Sequence, residues 1–165
     1  MTSDSSNALR FLPVGLDVQD ENCLVVGGGD VGTRKAITLA RAGAMVTVVS
    51  PTRTRKLAEQ TRADNIHWVN DSFRKEHLRG VFLAVAATDD EALNATVVRL
   101  ATQYGVLVCD ASSAERSQVI FGALLEGDDV TIAVFTGGRD PAEAGRTRDQ
   151  IAKLLARGRK SEPQP

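Results

Sequence analysis

The sequence has 165 residues, room for one compact domain and a small appendage but not for two full domains. Hydrophobic residues make up 42% and charged residues 25%, an ordinary globular balance that excludes wholesale disorder. Twenty Lys and Arg against 21 Asp and Glu give a net charge of −1, which argues against a nucleic-acid partner gripped through phosphates. The first eight residues are polar and include Asp4, unlike a secretory leader, and no run approaches the roughly 20 apolar residues that span a bilayer. Cys23 and Cys109 lie far apart, with neither His67 nor His77 beside them, so neither a disulfide framework nor a metal site is expected. These bounds point to a soluble, cytoplasmic protein without membrane or nucleic-acid partners.

Cys23-Leu24-Val25-Val26, apolar and closed by three glycines, reads as a buried strand. Val31 to Ala42 carries Val31, Ala36, Leu39 and Ala40 at helical spacing and stops at Gly43. Met45 to Val49 is a second strand, Lys56 to Ala63 a weak helix, Ile66 to Val69 a third strand and Val81 to Ala86 a fourth. Thr88 and Glu91 have the spacing of a capping box, which opens a helix reaching about Tyr104. Val106 to Cys109 is a fifth strand. Strands alternating with helices at this spacing predict right-handed crossovers and a doubly wound, Rossmann-type α/β parallel sheet over residues 9–112.

The pattern then changes. Val119 to Leu125 and Val130 to Thr136 flank Glu126-Gly-Asp-Asp129, a predicted hairpin. Asp140 as cap, Pro141 at the first helical position and Glu143 start a helix expected to reach about Ala156. A hairpin and one helix scarcely bury a core of their own. Residues 113–158 are therefore expected to dimerise or to meet substrate, with flexible tails at 1–8 and 159–165.

Gly27, Gly29 and Gly32 form a GxGxxG directly after a strand and at the opening of a helix. The first glycine permits a tight turn, the second lets the backbone approach a pyrophosphate, and the third allows close helix–strand packing. Helix-terminal amides then face the phosphates. The acid that would grip the adenosine ribose, some 20 residues on, is missing: Ser50-Pro51-Thr52-Arg53 stands there, and no Asp or Glu occurs between Asp30 and Glu59. Arg53 and Arg55 lean towards a 2′-phosphate, hence NADP, and equally read as solvated cations.

Several ordered motifs carry a family resemblance. Phe11-Leu-Pro13, Cys23-Leu-Val-Val-Gly-Gly-Gly-Asp-Val31 with Arg34-Lys35, and Val46-Thr-Val-Val-Ser-Pro51 resemble the precorrin-2 dehydrogenase (siroheme synthase N-terminal) family. So do Ala86-Ala-Thr-Asp-Asp90 with Leu93-Asn94, Val119-Ile-Phe121, and Thr136-Gly-Gly138 with Pro141, and together they cover about residues 9 to 156. The resemblance implies oxidation of precorrin-2 to sirohydrochlorin by hydride transfer to NAD, with iron insertion in some members. It implies that Asp30 and Val31 meet the pyrophosphate and ribose, that Pro51 and Thr52 run along the adenosine, and that Thr88 lines the nicotinamide side; Gly27, Gly28, Gly29 and Gly32 of the turn and Ser50 after the second strand complete the expected cofactor-binding residues. It ranks NAD ahead of NADP.

One departure stands out. After the fifth strand the family carries an Asn and, three residues later, an Asp credited with general-base work. Ungapped from Val119-Ile-Phe121, these positions fall on Cys109 and Ser112. Serine is no base at neutral pH, and Asp110 lies on the same strand face two residues earlier, so Asp110 and Ser112 are the candidate catalytic residues. The implied substrate is a tetrapyrrole polyacid. From Gly137 onward seven cations face four acids, a segment of +3 in a chain of −1. Family members carry a longer helical region after this point. Two functions are expected to compete: an NAD-dependent precorrin-2 dehydrogenase acting as a homodimer, and a non-catalytic dinucleotide-binding sensor or partner subunit that has lost its carboxylate at Ser112.

Overall fold

The computed structural model describes residues 10–61, 65–127 and 129–159, with side chains up to residue 156. These form two compact units, one spanning residues 14–119 and the other built mainly from residue 120 onward.

The larger unit is a five-stranded parallel sheet: β1 (Asn22–Val26), β2 (Met45–Val49), β3 (Ile66–Val69), β4 (Leu83–Ala86) and β5 (Leu107–Asp110). Their order is β3-β2-β1-β4-β5, so succession runs one way from β1 and then reverses across β1 to β4. Crossovers of one hand then send α1 (Asp30–Arg41) and α3 (Glu91–Gln103) to opposite faces. With both faces covered, strands need continuous apolar runs rather than alternation. Leu24, Val25 and Val26 of β1 and Leu83 through Ala86 of β4 are accordingly all buried. Leu24, Val26, Ala84, Ala86 and Val108 form one cluster with Val97 and Ala101 of α3.

Register aligns the strand ends: Val26 sits opposite both Val49 and Ala86, and Ala86 opposite Asp110. The loops that follow β1, β4 and β5 therefore emerge side by side. Beyond β5 the chain folds back on its outer side, where the amides of Gln118 and Val119 both donate to the Val108 carbonyl, at 2.9 and 3.1 Å.

Two expectations need correction. The helix expected over 56–63 is α2 (Arg55–Gln60), capped by Thr54, whose hydroxyl accepts from the Leu57 amide; residues 62–64 lie outside the described residues. Thr88 does not cap α3. Asp90 does, its carboxylate accepting from the Leu93 amide at 3.0 Å, because a carboxylate one residue before the helix outcompetes a hydroxyl three residues before it. A turn of 3₁₀ helix over Lys75–Leu78, unforeseen, buries Leu78 against the sheet.

The smaller unit pairs β6 (Ala123–Glu126) with β7 (Thr131–Val134) as an antiparallel hairpin. α4 (Pro141–Arg159) packs on both strands, and its first turn is capped by Asp140, which accepts from the Glu143 amide at 2.8 Å. The helix runs three residues past the expected end at Ala156, to Arg159. Gly145 lies inside the helix and Gly158 in its last turn; a helix glycine costs only about 1 kcal/mol, which the Ala, Leu and Arg around them offset. Residues 1–8 and 160–165 of the expected tails lie outside the described residues. An open apolar groove of about 420 Å³ runs between Leu125, Val130 and Ile132 of the hairpin and Ala152, Leu155 and Ala156 of α4.

Candidate functional site

The glycine turn is built by close backbone approaches. Gly27 has φ +114°, and a Cβ there would lie 2.3 Å from the Ala87 carbonyl oxygen. A Cβ on Gly32 would lie 2.0 Å from the Gly27 oxygen, which is what brings α1 down onto β1. Gly29 is the opposite case, with nothing within 4 Å of a Cβ. It is the N-cap of α1 and offers no side-chain cap, so the first-turn amides of α1 are left for another acceptor.

In front of these amides lies a crevice of about 560 Å³. Gly29, Asp30, Val31 and Thr54 line one side, Ala87, Thr88 and Asp89 the other, and Ala111 and Ser112 close the end. It stands outside the carboxyl ends of β1, β4 and β5, at the point where strand order reverses, where open α/β sheets bind ligands. A dinucleotide fits this arrangement: the backbone is bare at Gly29, no side chain of the cap residue takes up the first-turn amides of α1, and Asp30 beside them is exposed.

The expected residues divide. Gly29, Asp30, Val31, Thr88 and Ser112 line the crevice, whereas Gly27, Gly28 and Gly32 build the turn behind it. Ser50 is buried at the end of β2, with its carbonyl accepting from the Trp68 indole at 3.1 Å. Pro51 and Thr52 are exposed in the loop beyond, and a Cβ on Gly28 would strike the Thr52 carbonyl at 2.2 Å. The two arginines of that loop differ. Arg55 donates to Glu59 at 2.9 Å, one turn along α2, while the Arg53 guanidinium lies 4.0 Å above the centre of the Trp68 ring.

Thr88 is held by Asn94, buried on α3. The Thr88 hydroxyl and amide donate to Asn94 Oδ1 at 2.7 and 3.1 Å, and Asn94 Nδ2 donates back to the Thr88 carbonyl at 2.9 Å. The same amide nitrogen donates to Ser112 Oγ at 3.3 Å, so one side chain joins the Thr88 side of the crevice to its Ser112 end.

Asp110 faces neither the crevice nor solvent. Its carboxylate is fully buried behind Ser112. Oδ1 accepts from the Ser112 hydroxyl at 2.6 Å and from the Ser112 amide at 2.9 Å, and Oδ2 accepts from Arg116 Nε at 2.7 Å. Arg116 also donates to Glu91 at 3.1 Å. Burial alone would push this carboxyl up. The bonds from Ser112 and Arg116, with the guanidinium charge, outweigh it and hold Asp110 below the ordinary carboxylate range.

Burial pushes the Cys109 thiol up to about 11, against the pull of the nearby Lys35 ammonium, and the Cys23 thiol likewise to about 11. Both are inert by this criterion. Iodoacetamide at pH 8 is expected to leave both unmodified in the native protein and to label both in guanidinium, as intact mass measures; rapid native labelling of Cys109 would contradict its burial.

A family model described as "Putative NAD(P)-binding" matches residues 14–123, which contain the whole crevice. The chain belongs to this NAD(P)-binding family. Within it, the chain is 38% identical over 147 residues to siroheme synthase 1 of Pectobacterium atrosepticum, covering 89% of this chain and 31% of that protein. The siroheme synthase of Photobacterium profundum is 37% identical with the same coverage. The chain thus spans about a third of the length of the curated relatives it matches. Among solved structures it is similar to SirC, a precorrin-2 dehydrogenase, with a TM-score of 0.75 and 28% identity over 87% of this chain and 71% of that one.

Sequence reasoning gave no site role to Asn94, Arg116, Asp89 or Thr54. Asn94 carried a usable signal, as an amide one turn inside an amphipathic helix on the face that must be buried. Arg116 carried none, because its partnership with Asp110 depends on how the loop after β5 turns back.

Proposed function

We propose that the chain is the NAD-dependent module that oxidises precorrin-2 to sirohydrochlorin in siroheme biosynthesis, a cytoplasmic reaction. The observation that carries this reading is the crevice itself: a bare glycine turn at a strand-order reversal, in a chain whose likeness to SirC extends over 87% of its length. The amides at the start of α1 bind the pyrophosphate, and Thr88, locked by Asn94, borders the nicotinamide. When bound, the dinucleotide supplies the hydride acceptor.

Loss of hydride leaves the macrocycle as a cation that must shed a proton. Ser112 borders the space where substrate lies, and Asp110 is a positioning residue behind it, because its carboxylate already accepts from Ser112 and Arg116. The exposed Asp89 carboxylate, also on the crevice, receives the proton, whereas Asp90 is engaged in capping α3. The cations of α4 suit a polycarboxylate substrate, and a second copy of the chain covers the apolar groove beside Leu155, giving a homodimer.

The buried state of Asp110 favours one competing reading, a dinucleotide-binding sensor or partner subunit without catalysis. Anaerobic incubation with precorrin-2 and NAD, followed by the absorbance of sirohydrochlorin, separates the two. Turnover is the expected result. Its absence, in protein shown to bind the dinucleotide, would overturn the dehydrogenase reading of the chain alone in favour of a sensor or partner subunit.

A further inference from the structure

Two hydroxyls border the Ser112 end of the crevice, those of Thr88 and of Ser112 itself, and each has its single proton committed inward. The direction of a hydroxyl follows from the groups it meets. Asn94 is 1% exposed, and its amide can sit only one way round: Oδ1 faces the Thr88 N–H, a donor, and Nδ2 faces the Thr88 carbonyl, an acceptor. Two acceptor oxygens do not approach to 2.7 Å without a proton between them, so the Thr88 hydroxyl donates to Asn94 Oδ1. The Asp90 carbonyl, at 3.0 Å, competes for the same proton without turning it outward. One lone pair of Thr88 Oγ1 accepts from the Asp90 amide at 3.2 Å, and the other is what Thr88 offers to the crevice it lines.

Ser112 is fixed in the same sense. Its hydroxyl lies 2.6 Å from Asp110 Oδ1, a carboxylate oxygen that only accepts, so its proton points to Asp110. Asn94 Nδ2 and Arg116 Nη2 both donate to the Ser112 oxygen, each at 3.3 Å. The backbone donors are spent as well. The amides of Ala87 and Ala111 donate to the Val26 and Ala86 carbonyls, both at 2.8 Å, and those of Thr88 and Ser112 to Asn94 and Asp110. The exposed Asp89 carboxylate adds acceptors only. The crevice is thus polarised, with the first-turn amides of α1 as donors at one end and acceptor oxygens at the other.

We propose that Asn94 is a positioning residue that sets this polarity, so that the free lone pair of Thr88 receives the carboxamide N–H of a nicotinamide. An ionised carboxylate, the group that rims a tetrapyrrole polyacid, finds no hydroxyl donor there, whereas a carboxamide brings two N–H groups. The inference rests on the dinucleotide-binding reading of the crevice and adds the residues that select and orient the carboxamide.

Nicotinic acid adenine dinucleotide differs from NAD by a carboxylate in place of the carboxamide. The test is to titrate the full chain with each by isothermal titration calorimetry, in about 0.5 M salt to screen the Asp89 charge. The titrations are repeated with Asn94→Leu, Thr88→Val and Thr88→Ser. Wild type should bind NAD about tenfold more tightly than the acid, the scale of one hydrogen bond lost at a desolvated site. Thr88→Val keeps the shape and removes the oxygen, and should cut that ratio to about threefold or less. Thr88→Ser should restore it. Asn94→Leu frees the Thr88 hydroxyl to turn outward as a donor, and should shrink the ratio rather than weaken both ligands in parallel. A parallel loss with the ratio intact would make Asn94 a packing residue and overturn its role. If Asn94→Leu does not fold, an unchanged ratio in Thr88→Val overturns the proposal by itself. Equal affinity for the two ligands in wild type would overturn it while leaving the dinucleotide reading intact, and failure of both to bind would overturn the two together.

Discussion

Gly32→Ala is expected to lower the melting temperature by on the order of 10 °C and to abolish dinucleotide binding, while Gly29→Ala melts with the wild type. The added methyl at Gly32 would sit 2.0 Å from the Gly27 carbonyl oxygen, which belongs to a turn already held by the Gly27 amide on Val49 at 3.0 Å. Neither side of that contact is a flexible side chain, so α1 must lift away from β1. Overpacking of this kind costs about 3 kcal/mol, and in a domain of this size each kcal/mol moves the midpoint by several degrees. At Gly29 the methyl enters open space, at φ −72°, a conformation any residue adopts. It projects towards the crevice, so Gly29→Ala should weaken NADH binding without changing the melt. Differential scanning fluorimetry with and without NADH separates the two effects. A Gly32→Ala protein melting with the wild type would refute the packing argument.

Asp110→Ala is expected to lower stability by about 3 kcal/mol and to depress kcat while the surviving folded protein keeps its NADH affinity. Removing the carboxylate strips the Ser112 hydroxyl and amide and the Arg116 guanidinium of their shared acceptor, and unmatched donors at a buried site are costly. Arg116→Ala should also destabilise, since it leaves the buried carboxylate without its counter-charge. Acid sensitivity tells the carboxylate apart from simple packing. Asp110 is held below its ordinary value of 3.8, so its contribution is complete above the unfolded-state value and fades as the pH drops through the lower folded-state value. Wild type should thus lose stability below about pH 4, and Asp110→Asn should lose less over the same window. Urea denaturation at pH 7 and pH 3 measures this. An identical pH dependence in the two proteins would show that the Asp110 charge does not matter.

The sheet was legible because its signals are local. Apolar runs such as Cys23 to Val26, closed by glycines, leave little choice but a buried strand, and the glycine triad names its own geometry. Capping was misread at Thr88 because hydroxyl and carboxylate compete over three residues, and the winner depends on what else the hydroxyl can reach. Here it reaches Asn94, six residues on. The orientation of Asp110 lay beyond sequence for a similar reason. Strand alternation put it on the face of Ser112, and the two side chains do meet. The return of Arg116 from the following loop, which turns that meeting into a buried ion pair, has no periodic signature.

The fold-back of Gln118 and Val119 onto Val108 bears on how this chain behaves at high concentration. An outermost strand with open amides and carbonyls is a template on which other chains can add, and natural sheets defend against it by covering or shortening that strand. Here the segment that leads out of the domain is itself laid along the outer side of β5, filling part of its hydrogen-bonding row. At the opposite margin β3 has only four residues, and His67 points into solvent. Neither margin of this five-stranded sheet offers a long, flat ribbon on which stray strands could add.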